Sequence, residues 1–345
     1  MAEPILIWGA GAIGGTLGAY WARAGRDVLL VDVVPEHVEA CRTGGLTIEG
    51  PIESFAEVVP AATPGEVSGR FRQVVLAVKA HHTAAALDAL STHLATDGFV
   101  LSAQNGLNEF AIADRLGPER TMGCFVNFGA DWLGPGRILY GNRGAVVVGE
   151  IDGAIRPRTE AMHDLLKILE PDAVLTDDIW GYLWGKLAYG AMLFGTALTD
   201  DSMSANFADP ARFPAWAALG REVMAVARAE GVSPRGFGEF RPEAFAPGAP
   251  EFEARAVIAW LADYTSRTAK THSGIHRDLT VRRRRTEVDA QVGIIAERGR
   301  ARGVPTPALD RLVKLIHAVE DGRRPLSPDT LHALIASCPA SATAS

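Results

Sequence analysis

The sequence has few cysteines, and they lie far apart. Cys41, Cys124 and Cys338 form no C-x-x-C pair, so neither a disulfide framework nor a zinc or thioredoxin-like site has support. A sparse and odd cysteine count is typical of a reducing compartment. We therefore expect a cytoplasmic protein.

The sequence also lacks an excess of basic residues and any long apolar run. Lys plus Arg number 34 and Asp plus Glu 41, which gives a net charge of −7, and an acidic chain binds polyanions poorly. No stretch approaches the ~18 apolar residues that span a membrane, and no basic region precedes the first apolar run. We expect no signal peptide and neither nucleic acid nor membrane as a partner.

The first thirty residues have the pattern of a β-α-β unit. An apolar run over residues 5–8 predicts a buried strand, a helical pattern follows until Gly25, and a second apolar strand ends at Asp32. The segment between the first strand and the helix is Gly9-Ala10-Gly11-Ala12-Ile13-Gly14. A G-x-G-x-x-G turn in this context is typical of dinucleotide binding.

Each glycine of this turn has a mechanical role. Gly9 permits the tight turn, Gly11 lets a pyrophosphate approach the backbone, and Gly14 lets the helix pack closely on the sheet. The N–H groups at the helix start, at Ala12 and Ile13, favour a negative phosphate. We assign these five residues to cofactor binding. The alternative is a glycine-rich turn in an unrelated α/β protein.

Asp32 bears on the choice of cofactor. A carboxylate at the end of the second strand accepts hydrogen bonds from the adenosine ribose and repels a 2′-phosphate. No arginine follows within residues 33–36. The sequence therefore favours NAD over NADP, and NADP is the alternative.

Two polar residues follow later apolar strands. Lys79 comes after the run at 74–78, and Asn105 follows the run at 99–102. Ligands of parallel sheets bind at the carboxyl ends of strands, so both are candidates for cofactor binding. The alternatives are a solvated lysine and an ordinary Asn-Gly turn. The adjacent His81 and His82 have no further ligands nearby, and we expect no metal site.

The second half is helical, with one isolated ammonium in its most apolar segment. Within residues 180–198 the one ionisable side chain besides tyrosine is Lys186. Such a lysine must be paired, exposed or deprotonated, which makes it a functional candidate. The alternative is a lysine that reaches the surface. The arginine run at 282–285 is typical of a solvated helix face, and 234–250 of a long surface loop.

These patterns predict the fold class and the domains. The composition is globular, and 345 residues correspond to two domains of roughly 150 residues. We predict an α/β protein with an N-terminal Rossmann-type doubly wound sheet at 1–178. An all-helical C-terminal domain follows at 179–335, for substrate binding and dimerisation, and then a disordered tail at 336–345.

Taken together, several segments resemble the ketopantoate reductase (2-dehydropantoate 2-reductase) family. The glycine turn, Val78-Lys79-Ala80 and Gln104-Asn105-Gly106 are followed by Trp184-Gly185-Lys186-Leu187-Ala188 and Thr286-Glu287-Val288-Asp289. The resemblance implies a nicotinamide-dependent reduction of a 2-keto acid to the 2-hydroxy acid. It also implies a substrate cleft between the domains and a homodimer.

The resemblance implies roles for individual residues. The family's catalytic lysine falls on Lys186, its substrate-binding glutamate on Glu287 and its substrate-binding serine approximately on Ser273. The asparagine near the nicotinamide falls on Asn105, and the cleft lysine on Lys79. An ammonium suits this chemistry, because hydride addition to a ketone leaves negative charge on oxygen that a proton donor can stabilise.

The chain also departs from the family pattern. The family's asparagines one and two turns after the catalytic lysine are Gly190 and Phe194 here, and a further one is Val292. We expect Gly190 and Phe194 to face the substrate, as members of one helix stripe with Lys186. These changes favour a substrate bulkier or more hydrophobic than ketopantoate. Asp32 departs from the family's usual preference for NADP.

Three hypotheses follow. The first is a reductase of this family, acting on ketopantoate or a bulkier 2-keto acid with Lys186 as general acid. The second is an NAD-dependent catabolic dehydrogenase that oxidises a 2-hydroxy acid or secondary alcohol. The third is an NAD-binding regulatory protein that has lost catalysis, which the retained Lys186 and Glu287 disfavour.

Overall fold

The computed structural model describes residues 4–268 and 270–338 and divides into two compact units, Met1–Trp180 and Gly181–Ser345. This boundary lies two residues after the one expected from the sequence. The first unit contains a mixed sheet flanked by helices, and the described part of the second is helical, so the predicted fold class is confirmed. None of the described helices is long and apolar enough to cross a membrane.

The first unit is built on an eight-stranded sheet in the order β12-β11-β8-β7-β6-β1-β2-β5. Its neighbours run parallel except β8 and β11. The strands are β1 Ile5–Trp8, β2 Val28–Val31, β5 Ala61–Ala62, β6 Phe71–Leu76, β7 Leu94–Ser102, β8 Thr121–Val126, β11 Val146–Glu150 and β12 Val174–Leu175. The helices are α1 Ala12–Arg23, α2 Pro35–Thr43, α3 Thr83–Leu90, α4 Asn108–Leu116 and α5 Pro157–Leu169.

The unbroken apolar runs form strands that are buried on both faces. Along β1, Ile5 and Ile7 pack into one core cluster, while Leu6 and Trp8 pack into another on the opposite face. This alternation follows from the two-residue period of a strand. β1 lies between β2 and β6. The strands that follow β1 in the chain are therefore added first on one side of it and then on the other. Ligands bind at such a switch point in open α/β sheets.

A second, four-stranded sheet in the first unit was not predicted. Its order is β4-β3-β10-β9, with β3 Leu46–Glu49, β4 Phe55–Glu57, β9 Gly129–Gly134 and β10 Arg137–Asn142. The sequence predicts hairpins within 122–150, and β9 pairs antiparallel with β10 as expected. Its pairing with β3 is parallel and joins segments far apart in the chain, which local patterns do not reveal.

The second unit consists of helices and their connections over its described residues. Helix α6, Ile179–Thr196, starts just before the unit boundary. It is followed by α7 Met203–Ala208, α8 Phe213–Ala229, α9 Glu251–Ser266, α10 Gly274–Thr280, a π-helical turn at Asp289–Gly293, α11 Ile294–Arg302, α12 Pro307–Glu320 and α13 Pro328–Ile335.

Two expectations for this unit were wrong. The arginine run is not on a helix but in the connection before the π-helical turn, and Arg282 and Arg284 both donate to Asp278. The segment 234–250 is not simply a surface loop, because Phe240 and Phe245 are fully buried. Of the expected tail, Ala336 caps α13, and residues 339–345 lie outside the described part of the chain.

Candidate active site

The glycine turn has the shape that its sequence requires. Gly9 has φ +105°, and an added Cβ there would lie 2.7 Å from Val78 N. At Gly14 a Cβ would lie 2.0 Å from the Gly9 carbonyl oxygen, so this residue sets how closely α1 approaches β1. At Gly11 a Cβ would meet nothing within 4 Å. The backbone at Gly11 is therefore open to a ligand.

The start of α1 offers unsatisfied donors beside this opening. Gly11 is the N-cap residue, no side chain caps the helix, and the first turn, which begins at Ala12 and Ile13, contains no acidic residue. N–H groups at such a terminus attract a phosphate. The donors and the open backbone at Gly11 fit the pyrophosphate of a dinucleotide.

Asp32 is fixed against the same turn. One carboxylate oxygen accepts a hydrogen bond from Ala10 N at 3.0 Å, and the other accepts from Val34 N at 3.1 Å. These bonds leave lone pairs on both oxygens, because a carboxylate offers about four acceptor sites. Asp32 is therefore oriented in advance to accept ribose hydroxyls.

His37 supports the turn from behind and was missed in the sequence. Its Nε2 lies 2.7 Å from the Ala10 carbonyl oxygen, and Gly136 N donates to its Nδ1 at 2.9 Å. The ring is therefore the neutral tautomer that carries its proton on Nε2. His37 is 1% exposed and joins the glycine turn to the connection between β9 and β10. A lone histidine on α2 gives no sequence signal of this contact.

Lys79 and Asn105 lie on loops that a polar network joins. Gln104 Nε2 donates to the Val78 carbonyl oxygen and to Thr83 Oγ1, both at 2.8 Å. Thr83 Oγ1 in turn donates to Asn108, whose amide donates to the Asn105 carbonyl oxygen at 2.7 Å. Sequence analysis gave no supporting role to Gln104, Thr83 or Asn108, because their contacts join segments that are separate in the chain.

In the second unit, Lys186 lies on the accessible stripe of α6. The partly exposed positions between residues 182 and 193 are Tyr182, Lys186, Tyr189, Gly190 and Leu193. They repeat with the spacing of one helix face. Phe194 is 0% exposed, so Leu193 rather than Phe194 continues the stripe. The predicted contact between Phe194 and substrate stays a prediction.

An aromatic cluster forms around Tyr189 on this stripe. The ring of Tyr189 packs against Phe237 and Phe240 at centroid distances of 5.9 and 5.6 Å. Burial raises the pKa of Tyr189 above its ordinary value. The 234–250 segment approaches α6 closely at Gly185. A Cβ at Gly185 would lie 1.9 Å from the Arg235 carbonyl oxygen, so only glycine fits there.

Glu287 is held in place through its neighbour Thr286. Both the backbone N–H and the hydroxyl of Thr286 donate to Glu320 Oε1 at 2.7 Å. Glu287 itself is 7% exposed, and its carbonyl oxygen accepts from Gln291 N at 3.0 Å. The start of the π-helical turn is therefore attached to the end of α12.

Two more ionisable groups complete this attachment. His317 on α12 contacts Glu320 Oε2 at 2.8 Å and Asp289 Oδ1 at 2.9 Å. Burial by itself would lower the pKa of His317, but the two carboxylates raise it above its ordinary value. For Glu320, burial is outweighed by the donors of Thr286, His317 and Arg285, and its pKa is lowered.

Ser273 has a structural contact of its own. Its hydroxyl accepts a hydrogen bond from His276 N at 3.2 Å and so caps α10. It is 3% exposed. The predicted role in substrate binding stays a prediction. Among the described residues, no group of three or more His, Cys, Asp or Glu side chains could hold a metal ion.

Comparisons with known proteins match both units. The family model "Ketopantoate reductase PanE/ApbA" matches residues 5–153, and "Ketopantoate reductase PanE/ApbA C terminal" matches 178–320. The chain belongs to the ketopantoate reductase family. It is an NAD(P)-dependent oxidoreductase that acts on CH–OH groups.

Individual relatives extend over nearly the whole chain. A 2-dehydropantoate 2-reductase of Mesorhizobium japonicum is 32% identical over 92% of this chain and 98% of its own length. The crystal structure of a PanE/ApbA family ketopantoate reductase from Ralstonia eutropha JMP134 is 27% identical, with a TM-score of 0.75 over 93% of this chain and 99% of its own.

A second solved structure shows the same fold. The ternary structure of D-mandelate dehydrogenase with NADH and anilino(oxo)acetate superposes with a TM-score of 0.79 over 92% of this chain and 99% of its own. At 24% identity this likeness concerns the fold alone. The ketopantoate reductase fold therefore carries more than one named activity.

Proposed function

We propose that this enzyme reduces a 2-keto acid bulkier than ketopantoate to the 2-hydroxy acid, with NADH as the reductant and Lys186 as the general acid. The observation that carries the proposal is the accessible stripe of α6, where an ammonium stands one turn from a position without a side chain, Gly190. Bound nicotinamide supplies the hydride.

Lys186 acts on the keto oxygen. As the carbon is reduced, negative charge develops on that oxygen, and an ammonium beside it stabilises the charge and then donates a proton. Solvent restores the proton to Lys186 after turnover. The buried carboxylate of Glu287 is suited to hold a substrate hydroxyl or to favour the charged form of Lys186.

The cofactor-binding residues are proposed from the first unit. Gly9, Gly11, Ala12, Ile13 and Gly14 hold the pyrophosphate at the start of α1, and Lys79 and Asn105 bind further along the dinucleotide. Asp32 selects NAD, because its oriented carboxylate accepts ribose hydroxyls and repels a 2′-phosphate.

The size of the substrate is inferred from Gly190 and Tyr189. Gly190 leaves room beside Lys186, and the ring of Tyr189 adds an aromatic wall on the same stripe. Ser273 and Glu287 complete the proposed substrate contacts. An asparagine side chain at 190 would occupy the space that the bulkier substrate needs.

A panel of substrates and cofactors tests the proposal. Purified enzyme is assayed with ketopantoate and with aromatic and branched 2-keto acids, each with NADH and with NADPH. We expect the highest kcat/KM for a bulkier acid with NADH. A preference of orders of magnitude for ketopantoate with NADPH would show that our interpretation of Asp32 and Gly190 is wrong.

A second candidate uses the same residues in the opposite direction. An NAD-dependent dehydrogenase would oxidise a 2-hydroxy acid, with neutral Lys186 accepting the hydroxyl proton. The choice of NAD at Asp32 favours this alternative, because catabolic oxidations commonly use that cofactor. Rates in both directions at physiological cofactor ratios separate the two.

We further propose a cytoplasmic homodimer that associates through the helical unit. The outer face of α9 exposes Phe252 and Tyr264, and Tyr264 stacks on Trp260 at a centroid distance of 5.1 Å. Exposed aromatic residues on one helix are suited to bind a second copy. Sedimentation of the wild type and of Phe252→Arg tests this, and we expect a dimer that the substitution weakens.

A further inference from the structure

Gln291 occupies an unusual position beside the proposed substrate site. It is the middle residue of the π-helical turn Asp289–Gly293, and its N–H donates to the Glu287 carbonyl oxygen. π-Helical turns are rare and frequently lie at functional sites. Gln291 lies four residues after Glu287, the glutamate proposed to bind substrate.

The side chain of Gln291 borders the space left by Gly190. A Cβ built at Gly190 would lie 3.7 Å from Gln291 Oε1, and apart from its two chain neighbours and the helix's own backbone no other described atom comes within 4 Å. Gly190 lies on the same stripe of α6 as Lys186. The amide therefore faces α6 at Gly190, one turn after Lys186.

This amide has no hydrogen-bond partner among residues 4–268 and 270–338, although it is only partly exposed. A glutamine amide offers two donors and an acceptor with two lone pairs. A rotation of the amide group exchanges its oxygen and nitrogen, so either atom can face the space beside Gly190. A polar group of a ligand would satisfy it.

The helix spacing indicates which part of a substrate reaches Gln291. Lys186 and Gly190 are separated by one turn, about 6 Å along the axis. With the keto oxygen at Lys186, the carboxylate lies within roughly 3 Å of that oxygen by covalent geometry. Atoms near Gly190 and Gln291 therefore belong to the far end of the side chain.

We propose that Gln291 is a specificity-determining residue that hydrogen-bonds a polar group on the side chain of the 2-keto acid, about one helical turn from the keto oxygen. Gly190 provides the room for that group. The inference rests on the proposed function and narrows it: the substrate is both bulky and polar at its end. A hydroxyl, amide or carbonyl group satisfies the contact.

The test compares two 2-keto acids of equal chain length. The 5-methyl ester of 2-oxoglutarate has a carbonyl near this distance, and 2-oxoheptanoate has a methylene in its place. We expect wild-type enzyme to prefer the ester in kcat/KM, and Gln291→Leu to reduce that preference about tenfold, mainly through KM. Leucine keeps the approximate size while removing the hydrogen bonds.

Gly190→Ala is the matched control for size. An added methyl group fills part of the space, so kcat/KM should fall for both acids while their ratio stays within about twofold. The melting temperature and the affinity for NADH of Gln291→Leu show whether that variant is folded. A Gln291→Leu variant that is folded and keeps the wild-type ratio would overturn the inference.

The same assays distinguish a failure of the proposed function from a failure of the inference about Gln291. If wild-type enzyme reduces both acids and depends on Lys186, but Gln291→Leu leaves the ratio unchanged, the function stands and the inference fails. If wild-type enzyme reduces no 2-keto acid with NADH or NADPH, both are wrong. A preference for 2-oxoheptanoate in the wild type would also contradict the role of Gln291.

Discussion

The two units carry functional residues in different ways. In the first, the candidate site is made mostly of backbone: a glycine turn, a helix start and N–H groups that fix Asp32. In the second, it depends on side chains on α6 and just before the π-helical turn, Lys186 and Glu287. The first kind of site depends on shape, and the second depends on packing between helices.

This difference explains which substitutions each unit tolerates. A backbone site fails when an atom is added, because Gly9 and Gly14 have no room for a Cβ. A side-chain site fails when an atom is removed, because the role proposed for Lys186 needs its ammonium and the contact of Glu320 with Thr286 needs its carboxylate. The predictions below test this contrast.

The largest effect is expected at Lys186. Lys186→Ala removes the proposed proton donor, so we expect kcat to fall about 10³-fold while the affinity for NADH changes less than twofold. Steady-state kinetics and fluorescence titration of NADH measure the two quantities. Lys167→Ala, at an exposed lysine on α5, is the control; unchanged kcat in Lys186→Ala would remove this residue from the mechanism.

The glycine turn offers a matched pair of substitutions. Gly14→Ala should destabilise the protein by roughly 1–3 kcal/mol, because its Cβ collides with the Gly9 carbonyl oxygen. Gly11→Ala meets no atom, so the melting temperature should hold or rise, but NADH should bind more weakly. Thermal unfolding and NADH titration of both variants show whether Gly14→Ala mainly lowers stability and Gly11→Ala mainly weakens NADH binding.

The attachment of the π-helical turn should depend on pH. Because the folded-state pKa of His317 is raised, its contribution to stability is complete below its unfolded pKa and is lost as pH rises through the folded value. Thermal unfolding of His317→Asn should therefore differ from wild type most at acidic pH and converge with it at alkaline pH. His332→Asn, at an exposed histidine on α13, should match wild type throughout.

The smallest effects concern the last position of the α6 stripe. Phe194→Leu should cost about 1 kcal/mol of stability and leave the order of substrate preference unchanged, because Phe194 is fully buried. Leu193→Ala should change KM a few-fold among 2-keto acids, since Leu193 is accessible. If Phe194→Leu alone alters substrate preference, the sequence-based assignment of Phe194 is the better one.

The first unit was the easier half to predict. The run at 5–8, the glycine turn and Asp32 are local, and Gly9 and Gly14 occupy positions that sterics reserve for glycine. The small second sheet was missed because β3 and β10 meet only after the chain has folded. His37 was missed for the same reason: its partner Gly136 is distant in the chain.

In the second unit, the helical character was predicted, but the contacts were not. Residues 186, 190 and 194 share a stripe by spacing, yet spacing alone does not say where the stripe enters the core, and the structure buries Phe194. Gln291 was not singled out, because its importance depends on an irregular turn and on the space opposite it at Gly190.

His37 has a consequence for how cofactor binding develops during folding. It connects the glycine turn, proposed to bind the pyrophosphate, to Gly136, 99 residues further along. A fragment that stops after β2 would contain every recognisable residue of the motif and still lack this brace. The glycine turn therefore reaches its final order only when the small sheet has assembled. Substitutions that disrupt β9 or β10 should weaken nucleotide binding, although these strands are distant from the turn in sequence.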